Sequence, residues 1–405
     1  MHEVVNRTFA DFRTVGITVL YVTVVVVGVF CCMAPCVAEA LAPDLELQDL
    51  FTGMRIPKID VAEDGTVLAF ATSGSLLRRS EDGGITWGDI ISVGEGAAGT
   101  CVVDQSTGDV LVVRPEKGRL WRSKDHGKTW TPEDIVVKAN DYGHGTPELL
   151  PVETSCSESG VTLQHGKHKG RLLVPGRVMA PKGNNDQEWW PYHYNTSIYS
   201  DDGGHTWQAS APVQTGTGEG TLAEMSNGDV YYNSRSHMSV DHRRRIAWSY
   251  DDGNMYVDWR VDDYLFEVGQ PFYFKYGTEP SYGCNAGLVR LPLETTGGKD
   301  VLVFSTPDNP GGDRLRMTVW ASFDRGTTWP VKRLVYEGFS AYSSLAADKQ
   351  GNIYLLFEKG EKKLYETVAL ARFNLEWLAE GHDLDALLAT EVEARRPLGE
   401  TKKKK

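Results

Sequence analysis

Ser80-Glu81-Asp82-Gly83-Gly84-Ile85-Thr86-Trp87 is the first of several versions of one short phrase, Ser-x-Asp-x-Gly-x-Thr-Trp. The phrase returns at Ser123, Asp125, Gly127, Thr129 and Trp130, then at Ser200, Asp202, Gly204, Thr206 and Trp207. A further full copy is Ser322, Asp324, Gly326, Thr328 and Trp329. A worn copy keeps Ser249, Asp251 and Gly253, with its tryptophan expected in a displaced position, at Trp259. This is turn chemistry. Asp accepts from backbone N–H groups just downstream, and Gly takes positive φ without steric cost. A tryptophan after the turn gives the next strand a large apolar anchor. A repeated turn implies a repeated structural unit.

The flanking runs read as strands: Val67-Leu68-Ala69-Phe70, Val110-Leu111-Val112-Val113, Val230-Tyr231-Tyr232 and Val301-Leu302-Val303-Phe304. Short strands with regular turns and little helical pattern predict an all-β array. Closing such an array on itself gives a propeller of four-stranded antiparallel blades. The phrase resembles the Asp-box of the sialidase (neuraminidase) family, the hairpin signature of a six-bladed β-propeller. That resemblance implies six blades between residues 41 and 375, each of roughly 50–60 residues. It also implies that the Asp and Trp residues of the boxes are structural.

Outside this domain the chain carries two other expected segments. Residues 1–40 read as a signal peptide or an amino-terminal membrane anchor. Arg7 and Arg13 precede an apolar run over about 15–29, and Ala38-Glu39-Ala40 has the small-x-small form of a cleavage site. The rival is an uncleaved anchor, because the run approaches the length of a span. Met33-Ala34-Pro35 is a poor lead-in to a lipid on Cys36. The protein is therefore expected to be exported: secreted, periplasmic or anchored on the outside. Residues 376–405 read as a helix followed by a basic tail ending in a run of four lysines, 402–405.

A net charge of −13 argues against a nucleic-acid partner. Cys101, Cys156 and Cys284 lie beyond the leader, an odd number, and are expected to be buried free thiols. No Cys/His spacing reads as a metal site, and no metal or cofactor is expected.

The resemblance to sialidases runs from Met54 to about Phe373 and implies an active site. Met54-Arg55-Ile56-Pro57 is similar to the family's Arg-Ile-Pro motif. The substrate, a terminal sialic acid on a glycan, bears a carboxylate on its anomeric carbon. Guanidinium groups bind carboxylates through paired, charge-assisted hydrogen bonds. Three arginines are implied. Arg55 is the first, and Arg235 lies in Tyr232-Asn233-Ser234-Arg235-Ser236-His237. The third is Arg314, with Arg316 the alternative. Ser340-Ala341-Tyr342-Ser343-Ser344-Leu345 resembles the segment that bears the family's tyrosine nucleophile, and implies Tyr342. A neutral phenol escapes the repulsion that a carboxylate nucleophile would meet, provided that a base takes its proton. Glu219, in Gly218-Glu219-Gly220-Thr221-Leu222-Ala223-Glu224, is the implied base, and Glu224 is structural. This segment departs from the family at Gly218 and Thr221, where an Asn and a Gln are usual. Glu358 is the implied partner that fixes Arg55.

One expected part is absent. The family's general acid is an Asp on a loop between the first strands. Here the stretch from Leu68 to Ser80 is short and holds no acidic residue. A replacement is sought in the insertion over 181–194, where Asp186, Glu188 and His193 are candidates and Trp189 and Trp190 suit a sugar subsite. His144, in Tyr142-Gly143-His144-Gly145, is a possible pocket contact. The expected function is an exported exo-alpha-sialidase, a retaining glycoside hydrolase. One alternative is an impaired, sialidase-like propeller that binds acidic sugars. Another is a non-catalytic propeller that uses its blades for protein contacts.

Overall fold

The computed structural model describes residues 45–140, 150–238, 241–269 and 283–392. The leader, His144, Cys31, Cys32, Cys36 and the terminal lysines lie outside the described residues.

The chain opens with β1 (Glu46–Thr52). A first sheet follows: β2 (Lys58–Val61), β3 (Val67–Ala71), β4 (Leu76–Ser80) and β5 (Ile91–Ser92). The second holds β6 (Thr100–Val103), β7 (Val110–Arg114), β8 (Arg119–Ser123) and β9 (Thr131–Asp134). Next comes β10 (Val136–Val137), which adds in parallel to the outer edge of the third sheet. That sheet is β11 (Val161–Thr162), β12 (Leu172–Val178), β13 (Tyr194–Ser200) and β14 (Thr206–Ala209). The fourth is β15 (Thr217–Glu224), β16 (Val230–Ser236), β17 (Arg243–Ser249) and β18 (Val257–Phe266).

The remaining strands are β19 (Gly287–Arg290), β20 (Leu302–Pro307), β21 (Leu315–Ser322), β22 (Val331–Ala347), β23 (Ile353–Gly360) and β24 (Thr367–Phe373). They form one sheet of seven with β1 at its far edge. The long β22 makes this sheet two blades. Residues 331–336 pair with β21 and complete the fifth blade. Residues 339–347 pair with β23 and begin the sixth. β1 pairs antiparallel with β24, so the sixth blade combines both ends of the domain and closes the ring. The fold is thus an all-β propeller of six four-stranded blades.

The core follows from this arrangement. Blades bury both faces, so their strands read as continuous apolar runs, as in β3 and β7. An apolar cluster fills the seam between each neighbouring pair. Leu68, Phe70 and Leu77 meet Val110, Val112 and Trp121 between the first and second blades. Val67 and Ala69 meet Tyr354, Leu356 and Leu370 between the first and sixth. Each such Leu or Phe contributes roughly 1.5–3 kcal/mol by leaving water.

The repeated turns lie on these seams. In the first, Asp82 accepts from Thr86 N at 2.9 Å and from Thr86 Oγ1 at 2.6 Å, and Ser80 Oγ accepts from Gly84 N at 2.8 Å. The turns at Ser123 and Ser322 repeat these bonds. Gly84, Gly127, Gly204, Gly253 and Gly326 all have positive φ. A Cβ on Gly127 would meet Leu77, and one on Gly326 would meet Tyr231, both on the preceding blade.

The worn turn corrects one expectation. Ser249 and Asp251 keep the same bonds, to Gly253 N and Met255 N. Tyr256, 1 % exposed, fills the anchor position and packs edge-on against Tyr232 at 5.0 Å. Trp259 is no displaced anchor; it is 60 % exposed on β18. Tyr256 also donates or accepts with Ser197 through its hydroxyl, a polar handle that tryptophan would not place there.

After β24 the chain makes two short helices, α1 (Leu375–Leu378) and α2 (Leu384–Leu388), in place of the single helix expected. Asn374 caps α1 by accepting from Trp377 N at 2.8 Å, and Trp377 packs on Phe373 at 4.9 Å.

Candidate active site

Five blades contribute to one cluster of charged groups at the ring's centre. Tyr342, on the second half of β22, donates its hydroxyl to Glu219 Oε1 on β15 at 2.8 Å. Arg235, on β16, donates through Nη1 to Glu219 Oε2 at 2.6 Å and to Tyr342 Oη at 2.9 Å. The fourth blade thus supplies Glu219 and Arg235 from neighbouring strands. The antiparallel register places Thr217 opposite Ser236 and Gly220 opposite Ser234, which brings Glu219 beside Arg235.

Arg55 precedes β2 and keeps 42 % of its side chain exposed at the mouth. Its Nε donates to Glu358 Oε1 at 3.0 Å and its Nη2 to Oε2 at 3.4 Å. Glu358, fully buried on β23, also accepts from Ile56 N at 2.9 Å and from Tyr342 N at 3.1 Å. One carboxylate therefore fixes both the first arginine and the backbone of the tyrosine. Arg314 lies just before β21. Its Nη2 donates to Gly283 O at 2.9 Å and its Nη1 to Tyr365 Oη at 2.8 Å. The guanidinium carbons of Arg55 and Arg314 stand 5.7 and 5.4 Å from the Tyr342 ring centroid. The alternative, Arg316, points elsewhere and pairs with Glu337 on the surface at 3.3 Å.

These contacts set the protonation states. Burial pushes the Glu219 carboxyl up, but Arg235 and then Arg177 outweigh it and hold the group well below the usual carboxylate range. Burial and the Glu219 charge push the Tyr342 phenol far up, against the pull of Arg235 and Arg314. At rest the pair is an ionised carboxylate and a neutral phenol, joined by the proton that a nucleophilic attack would transfer.

Two contributors carry no motif in the sequence. Arg177 on β12 is 7 % exposed and reaches Glu219 Oε1 through Nη1 at 3.4 Å. Tyr365, on the turn between β23 and β24, lies under the Arg55 guanidinium at 3.6 Å while its hydroxyl accepts from Arg314. Its φ of 67° places it in the left-handed region.

The expected acid loop is a tight turn. Thr72 N donates to Arg55 O at 2.7 Å and Ser73 N to Ile56 O at 3.3 Å, so the tip of the β3–β4 hairpin sits beside Arg55 without a carboxyl. Asp186 and Glu188 are exposed, and no contact joins either to the cluster among the described residues. His193 is buried and bonded to Asn184 O at 3.0 Å; burial and then Arg177 lower it to about 4, so it is neutral above that pH. Trp190 is packed inside on His237, at 4.5 Å between centroids. Trp189 stacks loosely on Tyr192 at 6.0 Å. Space for His237 comes from Gly218: a Cβ there would overlap the imidazole. Glu224 serves structure, accepting from Gln164 N at 2.7 Å and His165 N at 2.9 Å. Cys101 and Cys284 are buried free thiols, whereas Cys156 is only half-buried beside the Tyr342 cluster.

The BNR repeat-like domain matches residues 114–355, more than half of the chain. The chain belongs to the BNR repeat-like family. Among curated relatives, this BNR-repeat chain is 29 % identical over 373 residues to a sialidase of Micromonospora viridifaciens, covering 81 % of this chain and 52 % of that protein. It thus spans about half the length of that relative. Among solved structures, it is similar to the Hadza microbial sialidase Hz136 with a TM-score of 0.60 and 22 % identity, over 80 % of this chain and 66 % of the other. It is also similar to the intramolecular trans-sialidase of Ruminococcus gnavus, solved with oseltamivir carboxylate. There the TM-score is 0.61 and the identity 16 %, over 80 % of this chain and 95 % of that one. These likenesses place the BNR-repeat domain in the sialidase-type propeller fold.

Proposed function

We propose that this chain is an exo-alpha-sialidase that releases terminal sialic acid with retention of configuration. The observation that carries this reading is the Tyr342–Glu219 hydrogen bond of 2.8 Å, set among Arg55, Arg235 and Arg314. The three arginines take the substrate carboxylate. Tyr342 Oη attacks the anomeric carbon while its proton passes to Glu219, and water later releases the sugar. Glu358 keeps Arg55 and the Tyr342 backbone in place, as a rigid site requires. Catalysis runs through protein side chains alone. The sialidase relatives support the substrate class. The leader supports a location outside the cytoplasm, and sequencing the amino terminus of the exported protein tests it.

Tyr342→Phe is expected to abolish turnover of an aryl sialoside while calorimetry still detects binding of free sialic acid. Unchanged turnover would sink the mechanism. The bare β3–β4 hairpin favours a second reading, a propeller that binds acidic sugars without cleaving them. Binding of sialic acid by a wild-type protein that leaves both aryl and natural sialosides intact would select it.

A further inference from the structure

The sialidase reading, on which this inference rests, leaves the departing oxygen without a proton donor. A departing sugar alkoxide is a poor leaving group, so the donor matters most on natural substrates. A suited donor is a titratable group on the rim, reachable from the mouth and linked in geometry to the Tyr342–Glu219 pair.

Among the described residues one carboxyl meets these conditions. Glu153 and Arg177 form a two-residue antiparallel bridge: Glu153 N donates to Arg177 O at 2.8 Å and Arg177 N to Glu153 O at 2.9 Å. Directly opposed residues of such a pair project to the same face. Arg177 projects to the site, because its Nη1 reaches Glu219 at 3.4 Å. Its Nη2 stands 3.9 Å from Glu153 Oε2. A single guanidinium therefore spans the buried base and a second carboxyl that is 27 % exposed. Glu219, in contrast, is 3 % exposed. From the hairpin tip beside Arg55, a run of contacts leads to Arg114 and Glu116, whose charges act on Glu153. The hairpin tip at 72–75 packs on Gly99, Ser75 Oγ donates to Ala97 O, and Arg114 donates to Gly96 O at 2.6 Å and to Glu116 Oε1 at 2.6 Å.

We propose that Glu153 is the general acid of this enzyme, taking the place of the aspartate that the short β3–β4 hairpin lacks. In the first step Tyr342 Oη bonds to the anomeric carbon and its proton goes to Glu219. The bond from that carbon to the glycosidic oxygen breaks, and the Glu153 carboxyl gives its proton to the oxygen, which leaves as an alcohol. In the second step water attacks the anomeric carbon, the bond from that carbon to Tyr342 Oη breaks to leave the phenolate, and the water's proton goes to the Glu153 carboxylate. Glu219 returns its proton to Tyr342, and both carboxyls regain their starting states.

The surroundings suit a proton donor. The groups facing Glu153 are Arg177 on β12, Arg114 at the end of β7, and Glu116 and Lys117 on the turn after it. Burial pushes its carboxyl up, Arg177 pulls it down, and Glu116 adds to the rise, so the net direction is upward. Glu219, held by two guanidinium groups, moves the opposite way. Two carboxyls driven apart by their environments are the mark of an acid and a base in one site.

The test compares wild type with Glu153→Gln on an aryl sialoside and on 3′-sialyllactose, reading kcat/KM, which reports the first step. The expected result is a fall of about 10²–10⁴ on the oligosaccharide and little change on the aryl substrate. Azide, a nucleophile that needs no base, is expected to raise the variant's kcat on the aryl sialoside. Equal losses on both substrates, or none on the oligosaccharide, would overturn the assignment while leaving the sialidase reading intact. A wild type that cleaves neither substrate removes both. If the variant is insoluble, the wild-type pH profile decides. An alkaline fall on the oligosaccharide that is absent with the aryl sialoside supports Glu153, and the same fall on both overturns it.

Discussion

Arg177 brings a second guanidinium to Glu219, which Arg235 already holds. An ion pair this well buried is costly to break, because the partner is left charged in a poor solvent. Its chemical effect is to keep Glu219 ionised at any ordinary pH. On the proposed mechanism Glu219 must be ionised to accept the phenol proton, so activity is expected to fall only once pH drops below the usual carboxylate range. Arg177→Gln removes one of the two cations that depress the group. The acidic limb of the kcat/KM profile is then expected to move to higher pH, by about 1 unit. An unmoved limb would show that Arg235 alone sets the base. Neither Arg177 nor Glu153 was legible in the sequence. Arg55, Arg235 and Tyr342 stand in phrases several residues long, each with a recognisable order. Arg177 and Glu153 are brought together by two backbone hydrogen bonds between stretches that share no motif, so nothing local announces them. Tyr365 is hidden for a related reason: its place under Arg55 depends on a left-handed backbone that its neighbours do not signal.

At the scale of elements, the repeated turn does two jobs. Its Ser and Asp satisfy the turn's own backbone, and its glycine lets the turn lie against the blade before it. The first was readable from residue types alone. The second was not, because contact with a preceding blade is a property of the closed ring. The misreading of Trp259 has the same source: the anchor site is defined by a cavity beside Tyr232, and Tyr256 fills it. Gly127→Ala tests the packing role. The new Cβ would meet Leu77 at 2.8 Å from a backbone at φ 85°. Left-handed strain of about 1–2 kcal/mol adds to overpacking of about 1–3 kcal/mol. The expected outcome is an unfolding free energy lowered by about 2 kcal/mol or more, read as a lower urea midpoint with an unchanged m-value. A neutral substitution would mean that the seam yields freely.

For the whole molecule, closure rests on β1. Phe51 is 1 % exposed and Leu50 8 %, and the strand covers the outer edge of β24 along its length. A protein beginning at Gly53 would lose this strand and present an open edge, which is a template for pairing with other chains. Such a truncation is expected to lower the melting temperature and to give concentration-dependent oligomers in sedimentation. A monomer of unchanged stability would show that the other seams suffice. The repeated turns made a ring of β-blades legible and their resemblance to the Asp-box implied six, but the identity of the closing strand was not legible: Glu46–Thr52 carries no turn phrase and shows mostly exposed residues.

The seventeen-residue β22 makes the fifth and sixth blades a single covalent ribbon. Its first half borders the β21 strand that follows Arg314, its second half bears Tyr342, and Ser340 N donates to Arg314 O at 3.0 Å where the two meet. For a chain rewired to start and end elsewhere, the ring is therefore not equivalent at every point. New ends placed in the hairpins between other strands would leave the ribbon whole. New ends placed at residues 337–338 would leave every blade its strands, yet break the covalent link between the half of β22 that borders β21 and the half that bears Tyr342.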